Sequence, residues 1–274
     1  NKLVRKLSGD CYKNIMKRFL SVICSVTILI TAATSQITAY QPGERILYTI
    51  HYGPITGGEV TLELQKDTAS GTELWHSVLD GKTVGLVDAL FEVRDIYESF
   101  IDPYSELPVK SIRNIKEGRY RRYNVVLFDH TTRPDSAILT SDLTGIHIAE
   151  KGIHDILSCF YWFRNRILPG IDKIKIGDVI TITTWFTDEL YPVSLKYIGS
   201  EEIKTKAGKL KAYKFNPATE VGRLFKTEED ITIWFSADKN FIPVKIRFNI
   251  FVGAFMVELV SYEGLVYPLE IKKR

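Results

Sequence analysis

Acid/base work on a glycosidic bond needs two carboxyl groups roughly 5 to 9 Å apart. The chain offers two sources, Asp95 with Glu98 and the run Glu228-Glu229-Asp230. An odd offset on a strand sends side chains to opposite faces, which separates Asp95 from Glu98. The acidic run precedes an apolar strand and reads as a solvated loop. Asp102 and Asp238 each stand before a Pro-bearing strand, where capping a turn is the commoner role for Asp. A zinc site wants ligands at short local spacing, yet His51, His76, His130, His147 and His154 are scattered, and none stands two or four residues from another. No Gly-x-Ser-x-Gly and no phosphate-cradling glycine loop occurs. Cys159 has apolar neighbours, Leu157 and Phe160, and reads as a small core residue. Catalytic residues, metal ligands and cofactors are therefore assigned to no position.

The charge that most needs an explanation is Arg164. From Asp155 to Ile167 the apolar residues Ile156, Cys159, Phe160, Phe163 and Ile167 follow helical spacing, with Asp155 as N-cap and Pro169-Gly170 as stop. On a helical wheel Asp155, Ser158, Asn165 and Arg166 share a narrow face, and Arg164 falls in the apolar arc. This predicts a helix buried on most of its surface, at about 155–167. A guanidinium placed there must snorkel, pair with an acid or meet an anionic group of a ligand. A salt bridge fixing the helix is the leading reading, and a contact with a head group in a groove is the other. Tyr161, Trp162, Trp185 and Trp234 are the aromatic candidates to line such a groove beside Arg164, although core packing is the default for the strand residues Trp185 and Trp234.

The elements around that helix read with period two. Ile46, Tyr48, Ile50 and Tyr52 alternate, and Val60, Leu62 and Leu64 follow the Gly57-Gly58 turn. Similar runs fall near 91–101, 107–115, 120–128, 178–186, 193–198, 209–215, 230–236, 242–250 and 254–262, separated by turns such as Asp102-Pro103 and Ala207-Gly208. A shift of about 135 residues lays Pro108, Val109, Lys110, Asn114, Ile115 and Gly118 over Pro243, Val244, Lys245, Asn249, Ile250 and Gly253. Nearly the same shift lays Gly43-Glu44 over Gly177-Asp178. The predicted architecture is mainly β: a curved antiparallel sheet or open half-barrel, internally duplicated, with one buried helix.

The N-terminal region has the layout of a secretory signal. Lys17 and Arg18 precede an uncharged apolar stretch from Phe19 to Ala33, and small residues follow at Thr38-Ala39. That stretch is shorter than the roughly 20 residues of a membrane-crossing helix. Residues 1–15 read as an upstream extension, 16–39 as a signal peptide cleaved near Ala39, 40–150 as the first β repeat, and 151–274 as the helix with the second repeat. Of the 36 basic and 33 acidic side chains, six and one precede residue 40, so 30 and 32 remain. The remaining balance is slightly acidic and carries no footprint for nucleic acid. Cys11 and Cys24 lie in the leader. Cys159 alone follows it, so no disulfide can form within the mature chain.

The segments Asp155–Arg164, Leu168-Pro169-Gly170, Gly177-Asp178, Ile233–Asp238 and Ile242–Lys245 resemble the second half of a bacterial envelope family, domain of unknown function three-one-zero-eight. Tyr97–Pro103, Leu107-Pro108 and Glu117–Tyr120 resemble its first half. The layout is similar to the open β-barrels of lipoprotein carriers and RseB-like sensors. The resemblance implies export to the periplasm of a Gram-negative bacterium and a half-barrel around an apolar groove, with no reaction attached. The functional expectation is a non-enzymatic binding or carrier module for a lipid, acyl chain or envelope glycoconjugate, whose partner is a small apolar or amphiphilic ligand. The alternatives are a structural or assembly partner of an envelope complex and, third, a glycan-acting hydrolase.

Overall fold

The computed structural model describes residues 39–69, 71–217, 231–250 and 253–272. The upstream extension, the leader up to residue 38, Cys11, Cys24 and Glu228-Glu229-Asp230 lie outside the described residues.

Alternation of apolar and polar residues builds the strands. The first six are β1 (Arg45–Tyr52), β2 (Ile55–Ala69), β3 (Thr72–Thr83), β4 (Arg94–Ile101), β5 (Pro108–Glu117) and β6 (Tyr120–Asp129), with a short helix α1 (Gly85–Leu90) between β3 and β4. The chain continues through β7 (Ser136–Ser141) and β8 (Gly145–Glu150) into the helix α2 (Ile156–Trp162). After it come β9 (Val179–Ile182), the small hairpin β10 (Trp185–Phe186) and β11 (Glu189–Leu190), then β12 (Val193–Thr205), β13 (Gly208–Pro217), β14 (Ile231–Ser236), β15 (Pro243–Asn249) and β16 (Ala254–Glu263).

Fourteen of the described strands form one antiparallel sheet, which does not close into a barrel. Its order is β8-β7-β6-β5-β4-β3-β2-β1-β16-β15-β14-β13-β12-β9, and β10 pairs only with β11. The order displays the duplication. The run β6 to β1 is followed, across the β1–β16 seam, by β16 to β12 and β9, so the second meander repeats the first in the same direction. The entry turns match bond for bond. Gly43 and Gly177 both have φ of 98°. Gly43 N–H donates to Leu64 O at 2.7 Å, and Gly177 N–H to Tyr197 O at 2.8 Å. Glu44 O and Asp178 O each accept, at 2.9 Å, from the N–H of that same Leu64 or Tyr197. Such a φ suits glycine because a Cβ would crowd the carbonyl. Glu106 and Phe241, one repeat apart, are likewise both left-handed, with φ of 62° and 49°.

The helical segment departs from regular α geometry. Asp155 caps α2 by accepting from Ser158 N–H, and Ser158 Oγ in turn accepts from Asp155 N–H. Past Trp162 the ladder widens to a π turn over Phe163–Ile167, then tightens to 3-10 over Leu168–Lys173. An amphipathic period marks where a helix lies, and the i→i+5 turn arises from what the side chains there must reach.

Candidate functional site

Two regions of the inner face hold groups that could serve function, one beneath the π turn and one toward α1.

Beneath the π turn, Arg164 is fully buried. Its Nη1 and Nη2 donate to the two carboxylate oxygens of Glu44 at 2.6 and 2.8 Å, a bidentate pair. Two further donors reach backbone, Nε to Asn240 O at 3.0 Å and Nη2 to Ala39 O at 3.1 Å. Asn165 Oδ1 accepts from Ala39 N–H at 3.1 Å, and its Nδ2 donates to Glu106 Oε1. Arg166 Nε donates to Glu106 Oε2 at 2.6 Å. Three consecutive residues of one turn thus hold the equivalent turns of both repeats, β4–β5 through Glu106 and β14–β15 through Asn240. The guanidinium of Arg164 also lies 5.2 Å from the Phe160 ring and 5.6 Å from that of Tyr161. Arg164 is thus tied to Glu44, Asn240 and Ala39, and Leu62, Leu64, Ile101, Phe215 and Phe235 pack in the core beneath the helix.

At the N-terminal end of α2 burial moves two ionisations apart. Asp155 is buried, and desolvation pushes its carboxyl up to about 6 against the bonds from Ser99 and Ser158. Burial, aided by His130, lowers His154 to about 4. Desolvation also pushes the Cys159 thiol up to about 12, so it is inert at neutral pH.

The sequence candidates do not converge on one groove. Tyr161 and Arg164 share the cluster under the helix, with Tyr161 packed on Tyr40 at 4.7 Å between ring centroids. Trp162 flanks His154 at 5.5 Å. Trp185 belongs to a separate core with Val126 and Leu139. Trp234 lies in a third with Ile46 and Leu259, its Nε1 donating to Glu201 at 2.7 Å. Glu98 meets His76 at 2.7 Å, while Asp95 belongs to the other region. Among the described residues no cluster of three or more His, Cys, Asp or Glu could hold a metal ion.

That other region is hollow. On the inner face of β3 the side chains run Ser77, Leu79, Gly81, Thr83, and on β4 they run Ser99, Tyr97, Asp95. Ser77 reaches Tyr161 and Ser99 reaches Asp155, so α2 covers this level. Beyond it a cavity of about 570 Å³ opens, walled by Ile50, Leu79, Val87, Val93 and Tyr97 and rimmed by Tyr52, Ile55 and Phe255. Its size falls within the roughly 300–1,000 Å³ of small-molecule sites. Glycines shape it. A Cβ on Gly57 would sit 2.9 Å from Val87 Cγ2, so this glycine admits α1 close against the sheet. A Cβ on Gly81 would meet nothing nearer than 3.8 Å, so its missing side chain leaves open volume. Lys82 and Asp95 bring charge to the lining, and His51 brings a ring bonded to Gly53 O and Glu258. Burial and then the Asp95 carboxylate raise Glu117 above the ordinary range. Of the lining, only Asp95 is a candidate from sequence, as half of a carboxylate pair, and the apolar wall carries no motif. The available signal was a set of glycines inside strands of otherwise regular alternation, the mark of a close approach or of withheld volume.

The family model described as "Protein of unknown function (DUF3108)" matches residues 47–260. No curated protein matches the chain. Among solved structures, the β-barrel-like protein of domain of unknown function DUF1849 from Brucella abortus superposes with a TM-score of 0.54 at 8% identity, covering 81% of this chain and 98% of that one. At that identity the likeness is one of fold.

Proposed function

The chain belongs to the DUF3108 family, a family of unknown function, and we propose that it is a non-enzymatic binding or carrier module that takes a lipid or acyl chain into the cavity between β1, β3, β4 and α1. The observation that carries this reading is the cavity itself, about 570 Å³ with a mostly apolar lining, beside a core under the helix that is filled. Apolar surface left facing water is unfavourable, by roughly 25 cal/mol per Å². An apolar guest removes that surface from water, and Lys82 and Asp95 offer hydrogen bonds to its polar end. The leader-like segment before residue 39 supports a place in the periplasm. Ala39 is buried and bonded to Arg164 and Asn165, which favours a cut just before it over one just after it. No helix among the described residues is long and apolar enough to cross a membrane.

The test is capture of a fluorescent apolar probe, N-phenyl-1-naphthylamine, by the wild type and by Gly81→Leu, joined to organic extraction and mass spectrometry of freshly purified protein. The expected outcome is saturable capture that fatty acid displaces and Gly81→Leu abolishes, with a co-purifying amphiphile in the extract. Equal capture by both proteins and an empty extract would end the proposal.

A further inference from the structure

The helix beside the cavity is built the wrong way round for a soluble surface. Its six residues include Leu86, Val87 and Leu90, yet it buries none of them fully. Val87 faces the cavity, and Leu86 and Leu90, one turn apart, are 79% and 87% exposed. Phe91, half exposed, extends this apolar face onto the β5–β6 hairpin. A Cβ on Gly118 would lie 2.7 Å from the Phe91 ring, and Gly118 N–H donates to Glu92 O at 2.8 Å.

The hairpin supplies the complementary charge. Asp88 and Glu92, the acids of this connection, are held by Arg94 and Lys116, each at 2.7 Å. Arg119 and Arg121 at the hairpin are exposed and form no ion pair among the described residues, the guanidinium of Arg121 resting on the carbonyls of Gly118 and Tyr120. Bare leucines, an exposed tyrosine and arginines with charge to spare form the chemistry of an interfacial segment. The apolar side chains enter the acyl boundary while the ring and the cations sit among anionic head groups. The cavity is walled by the same helix, so a guest leaving a bilayer there would meet apolar surface without crossing bulk water.

We infer that α1 and the β5–β6 hairpin dock this protein on an anionic lipid surface, with Leu86 and Leu90 inserted and Arg119 and Arg121 on the head groups. The inference deepens the carrier reading and rests on it for its purpose, though docking is measured separately from capture. Flotation of the whole protein with vesicles of phosphatidylethanolamine and phosphatidylglycerol tests it, against vesicles of phosphatidylcholine alone. Binding is expected to the anionic vesicles, to weaken as salt is raised, and to fall roughly 10- to 30-fold in Arg119→Gln/Arg121→Gln. Leu86→Asp/Leu90→Asp should abolish it while leaving thermal unfolding and probe capture unchanged, since both side chains already face water.

A wild type that never floats, or charge and leucine variants that float like it, would overturn docking. So would leucine variants that lose a lipid-free, concentration-dependent dimer, because the patch would then belong to a second copy. A wild type that captures probe without floating sinks docking alone. A protein that floats and captures nothing sinks the carrier reading alone.

Discussion

The two ends of the half-barrel answer the same problem in opposite ways. Beneath the π turn the concave face is filled, and Arg164, Asn165 and Arg166 bind Glu44, Glu106 and the Asn240 carbonyl. Toward α1 the same strands present Leu79, Gly81 and Asp95 to open volume. The difference lies in what the repeats contribute. At the plugged end both offer an equivalent turn, and the helix between them binds each. Even there the repeats have diverged: Glu44 turns its carboxylate to Arg164, while the matching Asp178 accepts from Lys175 N–H at 2.9 Å and caps its own turn. One copy of the turn anchors the plug and the other serves itself.

The largest effect should come from breaking the plug. Arg164→Met leaves Glu44 buried and unpaired, at a cost of about 3–5 kcal/mol. Arg164→Met/Glu44→Leu should recover most of that loss, because a buried pair replaced as a unit is close to neutral. Urea unfolding of the two singles and the double gives the coupling energy. If the ends are independent, the double variant keeps its probe capture. Lost capture in a folded double variant would show that the plug shapes the cavity.

The next effect is in pH. Asp155, raised to about 6 when folded, adds stability that is full below about pH 4 and is lost as pH rises through 6. His154, lowered to about 4, adds stability that is full above about pH 6.5 and is lost as pH falls through 4. Each is worth about 3 kcal/mol, and between pH 4 and 6 they oppose each other. The wild type should therefore show a shallow profile there. His154→Asn should become less stable as pH rises across that window, and Asp155→Asn more stable. Two variants with the same slope would refute the assignment.

A smaller effect separates the diverged turns. Gly43→Ala and Gly177→Ala each force a left-handed Cβ where no neighbour crowds it, at a cost of about 1–2 kcal/mol. Gly43→Ala should cost more, because it also shifts Glu44 against Arg164. Equal losses in thermal unfolding would mean that the anchor tolerates movement of its turn.

Much of this organisation was legible in the chain. Alternation located β1, β5, β6, β15 and β16 to within a residue or two, and the shift of 135 residues found a duplication that the strand order displays. Strand β3 carries no clear alternation, because Leu74-Trp75 and Val78-Leu79 put apolar residues on both faces, and in the shorter β7 and β8 Ala137 and Leu139 give too few alternations to register. Spacing located the segment from Asp155, but not its change to π geometry, since that follows from reaching Glu106 and Asn240 in distant turns. Arg164 stood out as a charge in an apolar arc, yet its partner lies 120 residues away. The cavity was the hardest to see. It is defined by side chains that Gly58 and Gly81 lack, and by α1, a single turn too short for a helical period to show.

The smallest effect decides most about that hollow end. Glycine within a strand lowers stability by roughly 0.5–1 kcal/mol relative to alanine, and Gly81 has neither a positive φ nor a close neighbour to require it. Gly81→Val should therefore raise the unfolding free energy by about 0.5–1 kcal/mol, through β propensity and new contacts with the cavity wall. Gly58 is the control on the neighbouring strand. Its Cβ would lie 3.1 Å from Lys82 O, so Gly58→Val must displace backbone and should destabilise. A Gly81 variant that is more stable and captures no probe would mean that the glycine serves the cavity at the expense of the fold. If Gly81→Val proves less stable than the wild type, the open volume has a structural cause that the inner face does not disclose.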